Sequence, residues 1–272
     1  MTLLKPTEKT EGGLRTKKIS RPDKPLITVL TVVFNGATTL TDTIESVKRQ
    51  RYDNVEYIVI DGGSTDGTID ILRRYDSVID YWLSEQDRGI YDAMNKGIAL
   101  SSGEYIGMLN ADDMFSGDHV IQNIVDKFNA TQVDAVFANL NIVDRTDINK
   151  IIRKYRVSRL TPAWLRIGVM PAHPTFYCKK SCYEQAGMYK LDYQIAADFE
   201  MLVRLLIKQK ISWSYIDQVT VIMRSGGISN VGWRAKMTLN KEIIRACKDN
   251  GLYTNLFLLL FKIPYRLFEL IR

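Results

Sequence analysis

Two adjacent carboxylates, Asp112 and Asp113, follow an apolar stretch of strand length. An acidic pair at the carboxyl end of a buried strand is where α/β proteins hold a divalent ion against a phosphorylated ligand. Aspartate is also common in turns and at helix N-caps, and residues 116–128 suit a helix that such a residue would precede. The pair alone therefore leaves two interpretations open, a Mg²⁺ or Mn²⁺ site and a simple turn.

A glycine-rich loop, Asp61-Gly-Gly-Ser-Thr-Asp-Gly67, follows another apolar stretch. It lacks the Gly-x-Gly-x-x-Gly spacing of dinucleotide-binding proteins and begins with a carboxylate that would repel phosphate. Asp66 suits the cap of a helix that begins near residue 68. Asp61 suits hydrogen bonds to a uracil or a ribose, although a plain turn would explain part of its occurrence.

Residues 84–97 are richer in polar side chains than a connecting loop and helix require. Arg88 can approach a phosphate, and Asp92 and Asn95 project from the first helical turns toward the same crevice. Taken singly, each of these residues is equally explained as a solvated surface residue.

In the second half of the chain, Asp198 lies at the start of the clearest helical pattern, in which residues 199, 202, 203 and 206 are apolar. Asp198 is a candidate base, with a simple N-cap as the alternative. Glu200 is expected to face solvent. His173 is a candidate site residue, with a packed, hydrogen-bonded histidine as the alternative.

The elements that position these residues alternate between strands and helices. Strand patterns cover residues 27–34, 55–60, 78–83, 104–109 and 134–138, and helical patterns lie between them. This alternation predicts an α/β fold with a mostly parallel sheet and right-handed crossovers. The loops after the first four strands should line one crevice, because ligands of such sheets lie beyond the carboxyl ends of the strands.

The later elements are predicted to complete the same domain. Residues 142–157 indicate a β-hairpin rich in arginine and lysine, residues 161–168 a short helix and residues 175–177 a strand. The expected division is a basic N-terminal arm over residues 1–24, one domain over residues 25–230 and C-terminal helices over residues 231–272.

Composition narrows the function classes. The chain has 272 residues, 46% hydrophobic residues and a net charge of +6, which permits an anionic partner. The basic residues gather at the termini instead of beside exposed aromatics on one face, so nucleic acid is disfavoured. The segment before residue 25 is predicted to be a mobile basic arm and not a signal peptide.

Three cysteines are too few and too unevenly spaced for a disulfide framework, so we expect a reducing compartment. His173, Cys178 and Cys182 do not have the spacing of a zinc site.

The C-terminal segment, residues 255–272, is apolar but interrupted by charged residues and a proline. It is too short and too charged to span a bilayer. An interfacial helix on an anionic membrane is one interpretation. A helix packed on its own domain or on a second subunit is the other.

Four motifs in this order and spacing carry a resemblance to a known family. They are residues 28–35, residues 59–68, residues 84–97 and Asn110-Ala-Asp-Asp113. Together they closely resemble family 2 glycosyltransferases of the GT-A fold, and most of all the branch associated with bacterial O-antigen and capsule assembly. The resemblance covers about residues 27–227.

The resemblance implies roles for individual residues on the donor side. Phe34 and Asn35 would flank the nucleobase, Asp61 would bind the uracil or ribose, and Arg88 and Asp92 would help hold the nucleotide. Asp113 would be the direct ligand of Mn²⁺ or Mg²⁺, with Asp112 nearer the ribose or donor sugar. Asn-Ala-Asp-Asp replaces a strict Asp-x-Asp, which leaves the division between the two acids open.

On the acceptor side the resemblance makes Asp198 the catalytic base and places His173 in a loop near the acceptor. Arg224 and Ser229 fall in a loop expected to close on the diphosphate.

The resulting hypothesis is an inverting glycosyltransferase that moves a hexose or N-acetylhexosamine from a UDP-sugar to a lipid-linked or glycan acceptor at the cytoplasmic face of a membrane. A sugar-phosphate nucleotidyltransferase is the enzymatic alternative, but it would show a glycine-rich, basic loop after the first strand. A silent nucleotide-sugar or membrane-binding module is the other alternative.

Overall fold

The computed structural model describes residues 9–15, 18–158, 160–226 and 232–262. The strands are β1 (Thr10–Gly12), β2 (Ile27–Val33), β3 (Val55–Asp61), β4 (Tyr81–Ser84), β5 (Tyr105–Met108), β6 (Asp113–Phe115), β7 (Ala135–Val143), β8 (Ile151–Tyr155), β9 (Tyr177–Lys179) and β10 (Trp213–Arg224). The helices are α1 (Leu40–Lys48), α2 (Thr68–Arg74), α3 (Ile90–Leu100), α4 (Val120–Thr131), α5 (Pro162–Arg166), α6 (Lys180–Ala186), α7 (Ala197–Val203), α8 (Gly232–Asp249) and α9 (Leu256–Leu260).

All the strands form one mixed sheet in the order β1-β4-β3-β2-β5-β9-β7-β10-β6, with β8 paired to β7. The run β4-β3-β2-β5 is parallel, as predicted, and β7 pairs in parallel with β10. Strands β1, β6, β8 and β9 pair antiparallel with their neighbours. The α/β class and the parallel arrangement of the first strands are therefore confirmed.

The two faces of the sheet carry separate apolar cores, because successive side chains of a strand point to opposite faces. Leu30 of β2 belongs to the core shared with α3, α6, α7 and α8. Its neighbour Val29 belongs to the core shared with α1 and α4. Helix α3 approaches β2 so closely that a Cβ on Gly97 would lie 2.2 Å from Cδ1 of Leu30.

Helix α8 packs into the same apolar core as the preceding helices α3, α6 and α7. Ile243, Ala246 and Cys247 of α8 are almost fully buried and belong to the same core as Leu30. Helix α8 therefore packs into the core formed by the elements before residue 227.

The N-terminal segment differs from the predicted mobile arm wherever it is described. Residues 10–12 form β1 on the free edge of β4, and Lys18 Nζ donates to the carbonyl of Val55 and pairs with Asp80. The basic composition suggested disorder, but an unpaired sheet edge offers a row of hydrogen-bond partners that fixes this segment.

Two further elements differ from the sequence expectation. Residues 116–119 precede the helix instead of starting it, because Asp113–Phe115 pairs with β10 as strand β6. His173–Thr175 forms a turn of 3₁₀-helix, and the strand expected at residues 175–177 is Tyr177–Lys179. The β-hairpin expected over residues 142–157 is present as β7 and β8.

Candidate functional site

The carboxyl ends of the four parallel strands meet at one edge of the sheet. Val33 is opposite Asp61 in the β2–β3 register, and Asp61 is opposite Ser84 in the β3–β4 register. Strand β5 runs beside β2 and is followed by Asn110 and the acidic pair. The predicted crevice loops therefore lie side by side.

Asp61 is completely buried at this edge. Its Oδ2 accepts hydrogen bonds from the amides of Gly63 and Ser64 at 3.1 and 3.0 Å and from Ser84 Oγ at 2.6 Å. The Ser64 hydroxyl donates to Oδ1. Asp61 therefore fixes the shape of its own loop and joins that loop to β4.

Asn35 connects the first loop to the second. Its backbone lies in the left-handed region with φ of 52°, its Oδ1 accepts from the amide of Thr65, and its amide donates to Ser64 Oγ. Asparagine tolerates this conformation better than most residues. The neighbouring Phe34 is 66% exposed at the rim, where an aromatic face is open to a flat ligand.

Arg88, on the loop after β4, forms an ion pair with Asp92 in the first turn of α3, with Arg88 Nη2 3.1 Å from Asp92 Oδ1. The Arg88 amide also donates to Asp92 Oδ2, and Lys96 lies 3.7 Å from the same carboxylate. The Arg88 side chain is 75% exposed, so its guanidinium has free donors toward solvent. Asn95 does not face the crevice as expected, because its amide group exchanges two hydrogen bonds with the backbone of Tyr189.

Asp113 is held in a fixed position beside the crevice. Thr43 Oγ1 donates to its carbonyl oxygen at 2.7 Å, and Asn110 Nδ2 donates to its Oδ2 at 3.0 Å. Its other oxygen, Oδ1, is buried and has no hydrogen-bond partner among the described residues. Burial and the neighbouring Asp112 raise the pKa of the Asp113 carboxyl well above its ordinary value.

This geometry fits a divalent cation, because an unpaired buried carboxylate oxygen beside a second acid is stable only when a cation or a proton neutralises it. Among the described residues no three His, Cys, Asp or Glu side chains converge as a complete cage. Mg²⁺ commonly uses one or two protein carboxylates and takes its other ligands from phosphate and water. Asp113 and Asp112 are the residues that would hold it.

Arg224, the last residue of β10, closes the acidic pair from the other side. Its Nη1 donates to the carbonyl oxygen of Asp112 at 3.0 Å, and its Nη2 pairs with Asp42 Oδ2 at 2.5 Å. The side chain is almost fully buried. Ser229, the other residue expected in this loop, lies outside the described residues.

One cavity of about 350 Å³ brings the acidic pair together with residues from the second half of the chain. It is lined by Asp112, Asp113, His173, Asp198 and Arg224, together with apolar residues of α3, α7 and α8. The cavity lining does not include Phe34, Asn35, Asp61, Arg88 or Asp92, which lie at the adjoining strand ends and at the start of α3.

Asp198 is recessed in the apolar part of this cavity, although an edge of its side chain remains accessible. Desolvation raises the pKa of its carboxyl, while nearby His173 and a 2.8 Å hydrogen bond from the Phe199 amide act in the opposite direction. A carboxylate with a raised pKa in a cavity suits proton abstraction near neutral pH.

His173 is buried and its Nε2 lies 2.9 Å from the hydroxyl of Tyr189. Burial lowers the pKa of the imidazole, against a smaller raising effect of Asp198. His173 is therefore a buried, hydrogen-bonded residue that shapes the wall beside Asp198.

Glu200 was expected at the surface, and this expectation is wrong. It is completely buried and pairs with Arg204 at 2.7 Å and with Lys190 at 3.0 Å, while Asn250 donates to its Oε1. Buried charges occur where such partners neutralise them. Arg204 also donates to the carbonyls of Ala186, Gly187 and Met188, which fixes the segment before Tyr189.

Sequence reasoning also missed Tyr91, Tyr189 and Glu242. Tyr91 and Tyr189 stack with ring centroids 6.0 Å apart beside His173. Glu242 binds the backbone before Asp198. In the sequence, only Glu242 could have been noticed, because it is an acidic residue on an otherwise apolar face of a predicted helix.

The chain is similar in sequence to known glycosyltransferases. Residues 28–183 match the family model for glycosyl transferase family 2. The glycosyltransferase Rv1514c of Mycobacterium tuberculosis is 32% identical over 188 residues, which are 66% of this chain and 68% of that protein. The teichuronic acid biosynthesis glycosyltransferase TuaG of Bacillus subtilis is 36% identical over 98 residues, which are 35% of this chain and 39% of that protein.

Two solved structures share the fold. TarS of S. aureus in complex with UDP-GlcNAc superposes with a TM-score of 0.67 over 84% of this chain and 68% of that one, at 14% identity. Against a longer TarS chain, the matched region covers 40% of that chain. The mannosyltransferase PcManGT of Pyrobaculum calidifontis, with GDP-Man and Mn²⁺, gives 0.62 over 89% of this chain and 69% of that one, at 19% identity.

Proposed function

This chain belongs to glycosyl transferase family 2, and from that premise we propose that it is an inverting, metal-dependent hexosyltransferase. The donor is a UDP-linked hexose or N-acetylhexosamine, and the acceptor is a hydroxyl of a lipid-linked glycan used for cell-surface polysaccharide. The observation that carries the proposal is the single cavity that unites the acidic pair with Asp198.

The donor lies along the strand edge in this proposal. The exposed ring of Phe34 stacks on the base, the loop fixed by Asp61 meets the uracil and ribose, and Arg88 meets a phosphate. The structure of TarS, which shares the fold, contains UDP-GlcNAc, whereas that of PcManGT contains GDP-Man. The choice of uracil over guanine therefore rests on the loop that Asp61 fixes.

Asp112 and Asp113 hold a Mn²⁺ or Mg²⁺ ion. When bound, such an ion neutralises the charge that develops on the departing diphosphate. Asp113 presents its unpaired Oδ1 to this position, and Arg224 holds the backbone of Asp112.

Asp198 accepts the proton of the acceptor hydroxyl. The hydroxyl oxygen then bonds to the anomeric carbon as the bond from that carbon to the phosphate oxygen breaks, and UDP leaves with the electron pair. Attack on the face away from the leaving UDP inverts the configuration. His173, held by its hydrogen bond to Tyr189, forms part of the wall beside the base.

The test is a screen of UDP-glucose, UDP-galactose, UDP-N-acetylglucosamine, UDP-N-acetylgalactosamine and GDP-mannose for nucleotide release with Mn²⁺, with Mg²⁺ and with EDTA. We expect release of UDP from one of the UDP-sugars and its loss in EDTA. Release of GDP alone would overturn the choice of donor. No release from any donor would contradict the enzymatic proposal and favour a silent binding module.

The exposed apolar side chains of the C-terminal helices support a membrane location for the acceptor. Leu256, Phe257, Leu260 and Phe261 are 50% to 67% exposed on and next to α9, and Trp233 of α8 is 67% exposed. No described helix is long and apolar enough to cross a bilayer. We propose that these residues rest on the anionic inner face of the cytoplasmic membrane.

Sedimentation with anionic phosphatidylglycerol vesicles tests this location. We expect Phe257→Glu to weaken binding, whereas Ile152→Glu, which changes an exposed apolar residue of β8, should not. A protein that ignores vesicles and elutes as a dimer, and as a monomer after Phe257→Glu, would show that a second subunit covers this surface.

A further inference from the structure

Glu242 of α8 binds three successive backbone amides of a distant segment. Its Oε1 accepts from the amide of Gln194 at 2.7 Å, and its Oε2 accepts from those of Ile195 and Ala196 at 2.9 and 2.8 Å. The carboxylate is almost fully buried. A buried carboxylate with three backbone donors holds that backbone more firmly than neutral partners would, because hydrogen bonds to a charged group are the stronger ones.

The segment that Glu242 holds leads directly into α7, whose second residue is Asp198. Helix α7 has no hydrogen bond from a capping side chain of its own at Ala196. The first amides of a helix lack partners within the helix, and a carboxylate near them is stabilised by the helix dipole. Glu242, 46 residues further along the chain, accepts from the amide of the N-cap residue Ala196 and from the two amides before it, so it fixes the backbone where the helix begins.

The same segment is fixed on its other side by Tyr91. The Tyr91 hydroxyl donates to the carbonyl of Ile195, and its ring lines the cavity beside Met94 of α3. Helix α3 begins two residues after Arg88, and Asp92 in its first turn forms the ion pair with Arg88. The segment before Asp198 is thus held between α3 and α8.

Helix α8 also contributes directly to the cavity, through Leu239 and Ile243. These two residues lie three positions before and one position after Glu242. Helix α8 therefore forms part of the cavity wall around Asp198. It also holds the backbone that leads into Asp198.

We propose that Glu242 is the positioning residue for the base Asp198, so that helix α8 is an integral part of the transfer site. This inference rests on the proposed function, in which Asp198 deprotonates the acceptor. Catalytic groups must be held to within a fraction of an ångström, because small misplacements lower the rate far more than they lower stability. Loss of Glu242 should then impair transfer and leave donor binding intact.

Glu242→Gln keeps the shape of the side chain but replaces one acceptor oxygen with an NH₂ group that faces backbone amides. A matched control is Glu56→Gln at the amino ends of β2 and β3. Glu56 is equally buried, and its carboxylate accepts from Thr28 Oγ1 and from the amide and hydroxyl of Ser102. The control removes a comparable buried carboxylate far from the cavity.

The experiment measures kcat, KM for the UDP-sugar, the pH dependence of kcat and the unfolding midpoint of both variants and of the wild type. For Glu242→Gln we expect kcat to fall roughly 10- to 100-fold with KM for the donor changed less than about twofold. The acidic limb of its pH profile should move to lower pH, because a loosened segment lets water reach Asp198. The unfolding midpoint of Glu56→Gln should fall by a similar amount, whereas its kcat and its pH profile should equal those of the wild type.

Equal kcat in the two variants, or a loss in Glu242→Gln no larger than its unfolded fraction, would overturn the positioning role. Should Glu242→Gln fail to fold, Glu242→Asp provides the same comparison, because its shorter side chain cannot reach all three amides. Wild-type protein that releases no UDP would instead contradict the proposed function itself. An active wild type with a fully active Asp198→Asn variant would show that the base is wrongly assigned, so the failures are distinguishable.

Discussion

Replacement of Asp198 by asparagine removes the proposed base with almost no change of shape. The asparagine oxygen can still accept the hydrogen bond from the Phe199 amide, which is 2.8 Å long in the wild type. The nucleotide-side residues Asp61 and Arg88 lie on other loops outside the cavity. The variant should therefore fold, bind the donor normally and lack only the group that takes the proton.

The expected loss follows from the role. A positioned general base contributes roughly 10²- to 10⁴-fold to the rate, which corresponds to about 2.7 to 5.4 kcal/mol of transition-state stabilisation. Activity of the wild type should fall as the pH drops through the raised pKa of Asp198, because only the carboxylate accepts a proton. This acidic limb should be absent from the residual activity of the variant.

Stability should change in the opposite direction to activity. Because the folded protein raises the pKa of Asp198, it binds more protons than the unfolded chain between the unfolded and folded pKa values. The wild type therefore loses stability as the pH rises through this window, and the uncharged variant does not. Asp198→Asn should be more stable than the wild type at neutral pH, with a difference that disappears below about pH 4.

The assay combines UDP release in the presence of acceptor with thermal unfolding at pH 4 and pH 7. Asp126→Asn, an exposed acid on α4, is the control for loss of one negative charge. Turnover within about twofold of the wild type in a folded Asp198→Asn variant would refute the assignment of the base. A large loss of activity together with lower stability at pH 7 would show that the residue is structural.

Three further predictions concern the donor side and the sheet. Asp113→Asn should weaken Mn²⁺-dependent UDP binding at least about 10-fold in calorimetric titration, and wild-type affinity would show that the ion is held elsewhere. Asp61→Asn, which disturbs buried hydrogen bonds from Ser64 and Ser84, should lower the free energy of unfolding in urea by about 1–3 kcal/mol and weaken UDP binding. Loss of stability alone would contradict the role of its loop in binding the nucleotide. Gly107→Ala places a Cβ 2.1 Å from the Tyr177 ring and should cost about 1–3 kcal/mol of unfolding free energy, whereas wild-type stability would mean that β5 and β9 are less tightly packed than described.

The donor half of the fold was predictable because its strands are buried on both faces. A central parallel strand such as β2 presents a continuous apolar run, which is visible without knowledge of its neighbours. The polar loops then follow at the strand ends in chain order. The position of Asp61 at the end of β3 is thus a local property of the sequence.

Strand β10 was not predicted, although it is the longest strand described. Its register with β7 shifts between Ile216 and Val219 and again between Val219 and Val221. These bulges interrupt the alternation of inward and outward side chains, so the strand has no period of two along its length. Without β10, the partner of Asp113 in β6 could not be predicted either, and the acidic pair seemed to begin a helix.

Glu200 illustrates why the acceptor half was harder to predict. A glutamate in the first turn of a helix is usually solvated, and its burial here depends on Lys190, Arg204 and Asn250. Only Arg204, four residues further on, could have been paired with it by helical spacing. The other partners come from separate segments, which no local pattern brings together.

The two halves of the site therefore depend on different physical constraints. The donor loops follow the register of adjacent parallel strands, so each polar residue is positioned by the strand that precedes it. Asp198 has no such strand. Its position depends on contacts made by Glu242 and Tyr91, which are far from it in the sequence. Substitutions at these distant positions should consequently alter transfer without altering nucleotide affinity, whereas substitutions in the strand-end loops should alter nucleotide affinity first.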